Sequence, residues 1–198
     1  MTLHQDPLAI YRGAEAELRL RYDALSTEAI LGPMLNHLPS TPCRALDVGA
    51  GSGRDARWLS AAGHEVTAID PVFAPPSDKT IRWWKDALPR LASLKAERFD
   101  LILTSGVWHH LAADDRDAAW TRIASLLEPA GRLILSLRHG PLPGVAALDT
   151  LDTQHELARA KRSGLHLVAR HDTGSIQPHN IALGVHWTWL CLTTGDTT

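Results

Sequence analysis

The stretch Leu46-Asp-Val-Gly-Ala-Gly-Ser-Gly-Arg-Asp55 decides the fold of this chain. It continues a short apolar run that begins at Arg44, and it precedes a helical pattern, so a strand is expected to pass through a glycine turn into a helix. Glycine lets the backbone approach a ligand closely and adopt a positive φ, and the first turn of a helix offers unpaired amide groups. The spacing therefore predicts a loop that binds a nucleotide-type ligand.

The next strand ends on an acid that suits the same ligand. Glu65-Val-Thr-Ala-Ile-Asp70 is a strand pattern, and Asp70 lies about 20 residues beyond the turn, where a carboxylate can accept both ribose hydroxyls. A dinucleotide loop has the pattern Gly-x-Gly-x-x-Gly, but here Gly53 comes one position early and Arg54 takes its place. A carboxylate at Asp47 would repel a pyrophosphate and attract an ammonium group. These departures favour an adenosine that carries a cationic amino-acid tail.

Short apolar runs alternate with helical patterns along the rest of the chain, which is typical of strand-helix-strand units around a parallel sheet. Two helices are expected at about 8–25 and 30–38, and Gly32 with Pro33 should kink the second. Asp114 or Asp115 is expected to cap a later helix. The pattern predicts one α/β domain over residues 1–198, with strands at 44–49, 65–70, 81–84, 99–104, 132–137, 165–170 and 185–192.

Composition limits the classes of function. The 198 residues are 44 % apolar, and 20 basic against 22 acidic side chains give a net charge of −2, so a basic nucleic-acid module is not expected. The longest apolar runs have the length of a strand, and the first residues lack the pattern of a secretory signal. Cys43 and Cys191 have no redox or zinc spacing. We therefore expect a cytoplasmic protein without a membrane segment or a bound metal.

The chain resembles the small-molecule branch of the class I S-adenosylmethionine-dependent methyltransferases over residues 43–140. Besides the glycine turn and Asp70, the resemblance rests on Lys85-Asp-Ala-Leu-Pro89, on Phe99-Asp-Leu-Ile-Leu-Thr-Ser-Gly-Val-Trp-His-His-Leu111, and on Leu127-Glu-Pro-Ala-Gly-Arg-Leu133. It implies a Rossmann-like, seven-stranded, mostly parallel sheet with an antiparallel last strand. It also implies S-adenosylmethionine as the cofactor, S-adenosylhomocysteine as the product, and a helical lid at 1–40 over a core at 43–198.

The resemblance further implies a cofactor site at the carboxyl ends of the first four strands. Asp70 is expected to bind the ribose, and Asp86 the adenine amino group, with the backbone of Ala87 beside it. An alternative for Asp86 is that it simply caps a turn. The residues expected to contact the cofactor are Asp47, Gly49, Ala50, Gly51, Gly53, Asp70, Pro71, Asp86, Ala87, Thr104, Ser105 and Tyr22.

Five residues are candidates for the acceptor side of the site. His109 and His110 follow the fourth strand, where an imidazole can serve as a general base, although one of them could instead anchor the loop. Adjacent histidines point apart and no nearby carboxylate completes a ligand set, which argues against a metal. Trp108 could hold a cation against its ring. Tyr11 either packs or covers the site, and Arg138 either contacts the acceptor or belongs to an ordinary connection.

The predicted reaction is in-line transfer of the sulfonium methyl group to a small-molecule nucleophile, in which the enzyme mainly positions the acceptor. The chain has Thr104-Ser-Gly-Val107 where amide- and base-nitrogen methyltransferases have Asn/Asp-Pro-Pro-Tyr, and neither cysteine lies where a cytosine C5 nucleophile would. An RNA methyltransferase, a non-catalytic nucleotide sensor and a dinucleotide oxidoreductase remain alternatives. The acceptor and the oligomeric state stay open.

Overall fold

A computed structural model describes residue 8 and residues 11–73, 79–141 and 151–195. Its seven strands form one sheet in the order β3-β2-β1-β4-β5-β7-β6. Neighbouring strands are parallel except at β7, which runs antiparallel to both β5 and β6. This confirms the predicted sheet. The strands are β1 Arg44–Val48, β2 Glu65–Ile69, β3 Arg82–Trp84, β4 Phe99–Thr104, β5 Leu127–His139, β6 His166–Gly174 and β7 His186–Thr193.

Six α-helices accompany the sheet in the part of the chain that the structure describes. They are α1 Glu15–Asp23, α2 Thr27–Leu31, α3 Arg54–Ala61, α4 Ala113–Leu126, α5 Thr153–Arg162 and α6 Pro178–Ala182. A 3₁₀ helix at Gly32–His37 continues α2, which is the expected kink, since Pro33 lacks an amide donor. A second 3₁₀ turn covers Trp108–His110. No helix within the described ranges is long and apolar enough to cross a membrane.

The core lies on both faces of the sheet because successive strand residues point to opposite sides. Leu46 and Val48 of β1 pack in a cluster with Trp120 of α4 and with α5. Ala45 belongs to a second cluster on the other face, which contains Leu59 of α3 and the α2 segment. The two layers leave the carboxyl ends of the parallel strands as the edge at which a ligand can bind.

Several boundaries differ from the sequence prediction. The first helix begins at Glu15 rather than near residue 8, and α4 follows Ala112, so Asp114 and Asp115 lie in its first turn and do not cap it. In that turn their charges suit the positive end of the helix dipole. The strand β5 begins at Leu127 rather than residue 132, because Leu127 pairs with β4. The short helix α6 was not predicted.

Candidate functional site

A cavity of about 1760 Å³ opens where the strands β1, β2, β4 and β5 end. Pockets for one small ligand usually measure roughly 300–1,000 Å³, so this cavity has room for two molecules side by side. Most of the predicted cofactor residues line it, as do both histidines, Tyr11 and Arg138. The predicted cofactor residues among them are Tyr22, Gly49, Ala50, Gly51, Asp70, Pro71, Asp86, Ala87 and Ser105.

The glycine turn has the tight backbone that its sequence predicts. Gly49, Gly51 and Gly53 have φ values of 71°, 55° and 82°, a region that side-chain-bearing residues rarely adopt. A Cβ atom on Gly49 would collide with Cγ2 of Val107, and one on Gly51 would touch the ring of Tyr22. The loop after β4 and the helix α1 therefore both approach the turn closely, and at position 49 a side chain would clash.

Asp70 is hydrogen-bonded to the glycine turn. Its Oδ2 accepts a 2.9 Å hydrogen bond from the amide of Gly51, and its Oδ1 accepts 2.8 Å bonds from the amides of Val72 and Phe73. A carboxylate has about four acceptor positions, so Oδ2 keeps one. The structure therefore leaves Asp70 the capacity for one ribose hydroxyl, where the sequence analysis expected two.

Asp86 caps a turn and also lines the cavity. Its Oδ1 accepts a 2.7 Å hydrogen bond from the amide of Ala87, and its Oδ2 accepts bonds of 2.7 and 2.6 Å from the amide and hydroxyl of Ser93. Burial alone would raise the pKa of Asp86, but these bonds from Ser93 and Ala87 outweigh it and hold the pKa below its usual value. The two alternatives for this residue are compatible, because Oδ1 retains an acceptor position.

Three of the residues predicted to contact the cofactor, Asp47, Gly53 and Thr104, do not line the cavity. Asp47 is 2 % exposed and does not line the cavity. Burial, reinforced by the nearby Asp55 carboxylate, raises the pKa of Asp47 above its usual value. Gly53 is the residue before the first turn of α3, and Thr104 is fully buried at the end of β4.

Trp108, which was expected beside the acceptor, does not line the cavity either. Its side chain is fully buried, its ring centroid lies 4.4 Å from that of Trp120, and its Nε1 donates to Glu156. It therefore packs in the core and cannot hold a ligand cation. Two tryptophans of β7, Trp187 and Trp189, line the cavity instead.

The helix α1 is bonded directly to the glycine turn. Nη1 of Arg19 and Nη1 of Arg57 donate to the carbonyl oxygen of Ser52, at 3.0 and 2.8 Å. The hydroxyl of Ser52 and Nη2 of Arg57 donate to Oδ1 of Asp23, at 2.6 and 2.8 Å. Sequence reasoning missed this network because its members are far apart in the chain and carry no local pattern.

We call Tyr11, His109, His110, Arg138 and Trp187 the histidine–arginine cluster. The hydroxyl of Tyr11 lies 2.9 Å from Nε2 of His110, the ring centroids of the two histidines are 4.0 Å apart, and the ring of Trp187 stands edge-on to His109 at 6.1 Å. Arg138 is 7 % exposed and interacts electrostatically with both histidines. The cluster thus combines four aromatic rings with one cation.

Both histidines of this cluster are kept neutral. Burial, reinforced by the charge of Arg138, lowers the pKa of His110 to about 4. Burial also holds the pKa of His109 well below its usual value, with smaller contributions from His110 and Arg138. The Nδ1 atom of each ring is buried and has no hydrogen-bond partner within the described residues. No group of three or more metal-ligating side chains occurs in that part of the chain.

Residues 15–192 match the sequence model of a family described as a methyltransferase domain. A ubiquinone biosynthesis O-methyltransferase of Xanthomonas axonopodis pv. citri (strain 306) is 30 % identical over 150 residues, which cover 70 % of this chain and 59 % of that protein. An uncharacterized methyltransferase of Alkaliphilus oremlandii (strain OhILAs) is 29 % identical over 99 residues, or 46 % of this chain and 44 % of the relative. The chain therefore spans less than two thirds of the length of these curated relatives.

The fold is similar to that of 1,6-didemethyltoxoflavin-N1-methyltransferase from Burkholderia thailandensis. The two structures agree with a TM-score of 0.76 at 22 % sequence identity, over 99 % of this chain and 93 % of the other. At this identity the likeness concerns the fold alone. It extends over the N-terminal helices as well as the sheet.

Proposed function

Because this chain belongs to the methyltransferase domain family, we propose that it is an S-adenosylmethionine-dependent enzyme that methylates a small-molecule nucleophile by in-line displacement. The observation that carries the proposal is that one cavity is bordered by the glycine turn with Asp70 and by the histidine–arginine cluster. The sheet order places β2, which leads to Asp70, three strands from β5, which carries Arg138. A cofactor near Asp70 and an acceptor near Arg138 would thus share one volume.

The residues that line the cavity near β2 fit the proposed cofactor. The free acceptor position on Asp70 suits a ribose hydroxyl, and the one on Asp86 suits the adenine amino group. Glycine at position 49 lets the loop after β4 lie against the turn, because a Cβ atom there would meet Val107. We propose that α1, which is bonded to this turn, and α2, whose Thr27 donates to Asp55 of α3, act as the lid.

When bound, S-adenosylmethionine supplies an electrophilic methyl group, which an acceptor lone pair takes in one step with release of S-adenosylhomocysteine. The protein's contribution is then to align the acceptor and to exclude water. Tyr11 and Tyr22 from the N-terminal segment cover the cavity, and the aromatic rings of the histidine–arginine cluster form an apolar wall. This arrangement requires no covalent intermediate with the enzyme.

An acceptor hydroxyl or ammonium group must lose a proton as it is methylated. A neutral imidazole is the form that takes up a proton, and the lowered pKa values keep His109 and His110 in this form at neutral pH. We propose that one of these rings, both of which line the cavity, takes up this proton. Tyr11 would orient His110 through its bond to Nε2.

Three observations favour a small acceptor. The net charge of −2 provides no positive field for RNA. The cavity encloses the histidine–arginine cluster on several sides, including from the N-terminal residue Tyr11. The names of two similar proteins, a ubiquinone biosynthesis O-methyltransferase and a toxoflavin-precursor N1-methyltransferase, also refer to small molecules.

The proposal is tested with S-adenosylmethionine that carries a radiolabelled methyl group. Incubation with an extract separated into small metabolites, RNA and protein should place the label in the small-molecule fraction. The Asp70→Asn variant should lose this transfer and the Asp100→Asn variant should keep it, because Asp100 accepts its bond from the amide of Arg44 away from the cavity. Label found only in RNA or protein, or no transfer at all, would contradict the proposal.

A further inference from the structure

Arg138 is a buried cation that has no anionic partner among the residues that the structure describes. Within the described residues its guanidinium makes one hydrogen bond, from Nη1 to the carbonyl oxygen of Gly140 at 2.9 Å, and no carboxylate acts on it. Burial lowers its pKa, and Tyr11 offsets this only in part. Proteins rarely leave a buried charge unpaired, because it has lost its hydration without gaining a counterion.

The guanidinium retains the donors that an anion needs. An arginine has five N–H groups in a planar fork, and Arg138 uses one of them for Gly140. Such a fork binds a planar carboxylate through two parallel hydrogen bonds. Arg138 is one of the residues that line the cavity, which is where a ligand would meet these donors.

The side chains around Arg138 indicate a second property of the ligand, namely its shape. Tyr11, His109, His110 and Trp187 present aromatic rings, and both histidines are held neutral. Aromatic rings pack well against a flat, unsaturated ligand. Arg138 is then the charged member of the histidine–arginine cluster, and any acidic group of the ligand would be directed to it.

We infer that the acceptor is a small aromatic acid whose carboxylate pairs with Arg138. This inference rests on the proposed methyltransferase function and names the class of its substrate. A carboxylate could also come from the amino-acid tail of the cofactor. Arg138 lies on β5, and β1 and β4 separate it from β2, the strand that leads to Asp70. This separation favours the acceptor as the source of the carboxylate.

The first measurement separates these two sources. S-Adenosylhomocysteine is titrated by calorimetry into the wild-type protein, into Arg138→Gln and into Arg132→Gln, a matched control on the same strand that does not line the cavity. We expect all three affinities to agree within about twofold. A loss of more than tenfold in Arg138→Gln alone would assign Arg138 to the cofactor and overturn the inference.

The second measurement uses the protein saturated with S-adenosylhomocysteine and titrates matched acids and amides: anthranilate with anthranilamide, salicylate with salicylamide, and nicotinate with nicotinamide. At least one acid should bind tenfold or more tightly than its amide, Arg138→Gln should abolish this preference, and Arg138→Lys should retain part of it. Absence of any preference in the wild type, including absence of binding, would overturn the inference, and so would a preference that survives in Arg138→Gln. If the wild type fails to bind S-adenosylhomocysteine at all, the proposed function fails as well.

Discussion

The indole nitrogen of Trp108 donates a 2.7 Å hydrogen bond to Oε2 of Glu156, 48 residues further along the chain. Nε1 of Trp120 donates to the same oxygen at 2.8 Å, and Glu156 is 1 % exposed. Trp108 begins the 3₁₀ turn that contains His109 and His110. Glu156 of α5 therefore helps to hold the 3₁₀ turn that carries the two histidines, through its buried hydrogen bond with Trp108.

Replacing Glu156 by alanine should be strongly destabilising. The change leaves two buried indole donors without an acceptor, and it removes the carboxylate 3.7 Å from Nη1 of the buried Arg116. Breaking a buried charged network in this way typically lowers the free energy of unfolding by about 3–5 kcal/mol. Urea denaturation measures the loss, with Glu17→Ala on the exposed face of α1 as a control that should change stability by less than about 0.5 kcal/mol. Equal stabilities of the two variants would contradict the role of Glu156.

Alanine at position 49 should disrupt the glycine turn. The φ of 71° disfavours any side chain, and the added Cβ would collide with Val107. We expect stability to fall by more than about 1 kcal/mol, together with a loss of cofactor affinity. Gly32→Ala is the matched control, because nothing lies within 4 Å of a Cβ there. An alanine at 49 that melts like the wild type would show that the turn is not constrained.

The contact of α1 with the glycine turn should depend on Asp23. Asp23→Ala removes the acceptor for both the Ser52 hydroxyl and the Arg57 guanidinium. Because these contacts are partly exposed, we expect a change of only about 1 kcal/mol in stability but faster amide hydrogen exchange in α1. Mass spectrometry of peptides from residues 15–23 measures this exchange. Unchanged protection of α1 would mean that other contacts hold it.

Local patterns in the sequence predicted most of the sheet, and most of the predicted site residues line the cavity. A strand, a glycine turn and an acid such as Asp70 are close in sequence, so their spacing alone indicates a binding loop. The orientation of Trp108 and Trp187 depends instead on which side chains meet across the sheet, and a single sequence does not carry that information. Likewise, Leu127 joins β5 because β4 offers it a partner at Phe99, which outweighs the turn signal of the residues that follow.

The low pKa of His110 should be visible in the pH dependence of stability. The pKa of His110 is about 4 in the folded protein, below the usual 6.5. Between pH 4 and 6.5 His110 therefore binds a proton in the unfolded chain but not in the folded one. The stability of the wild type relative to His110→Gln should therefore fall by roughly 2 kcal/mol as the pH drops from about 7.5 to 4.5. Urea denaturation of both proteins at the two pH values gives this difference. A relative stability that does not change with pH would mean that His110 titrates normally.

Our central claim is that S-adenosylmethionine binds in the cavity at the strand ends. The contribution of Asp70 to cofactor affinity tests this claim most directly. The experiment is a calorimetric titration with S-adenosylhomocysteine and, separately, with NAD. It uses the wild-type protein and the variants Asp70→Asn and Asp100→Asn, because both carboxylates accept a backbone hydrogen bond. The account predicts one-to-one binding of S-adenosylhomocysteine, weakened by about 1–3 kcal/mol in Asp70→Asn and unchanged in Asp100→Asn, with no binding of NAD. Binding of NAD without S-adenosylhomocysteine, or equal affinities in all three proteins, would contradict it.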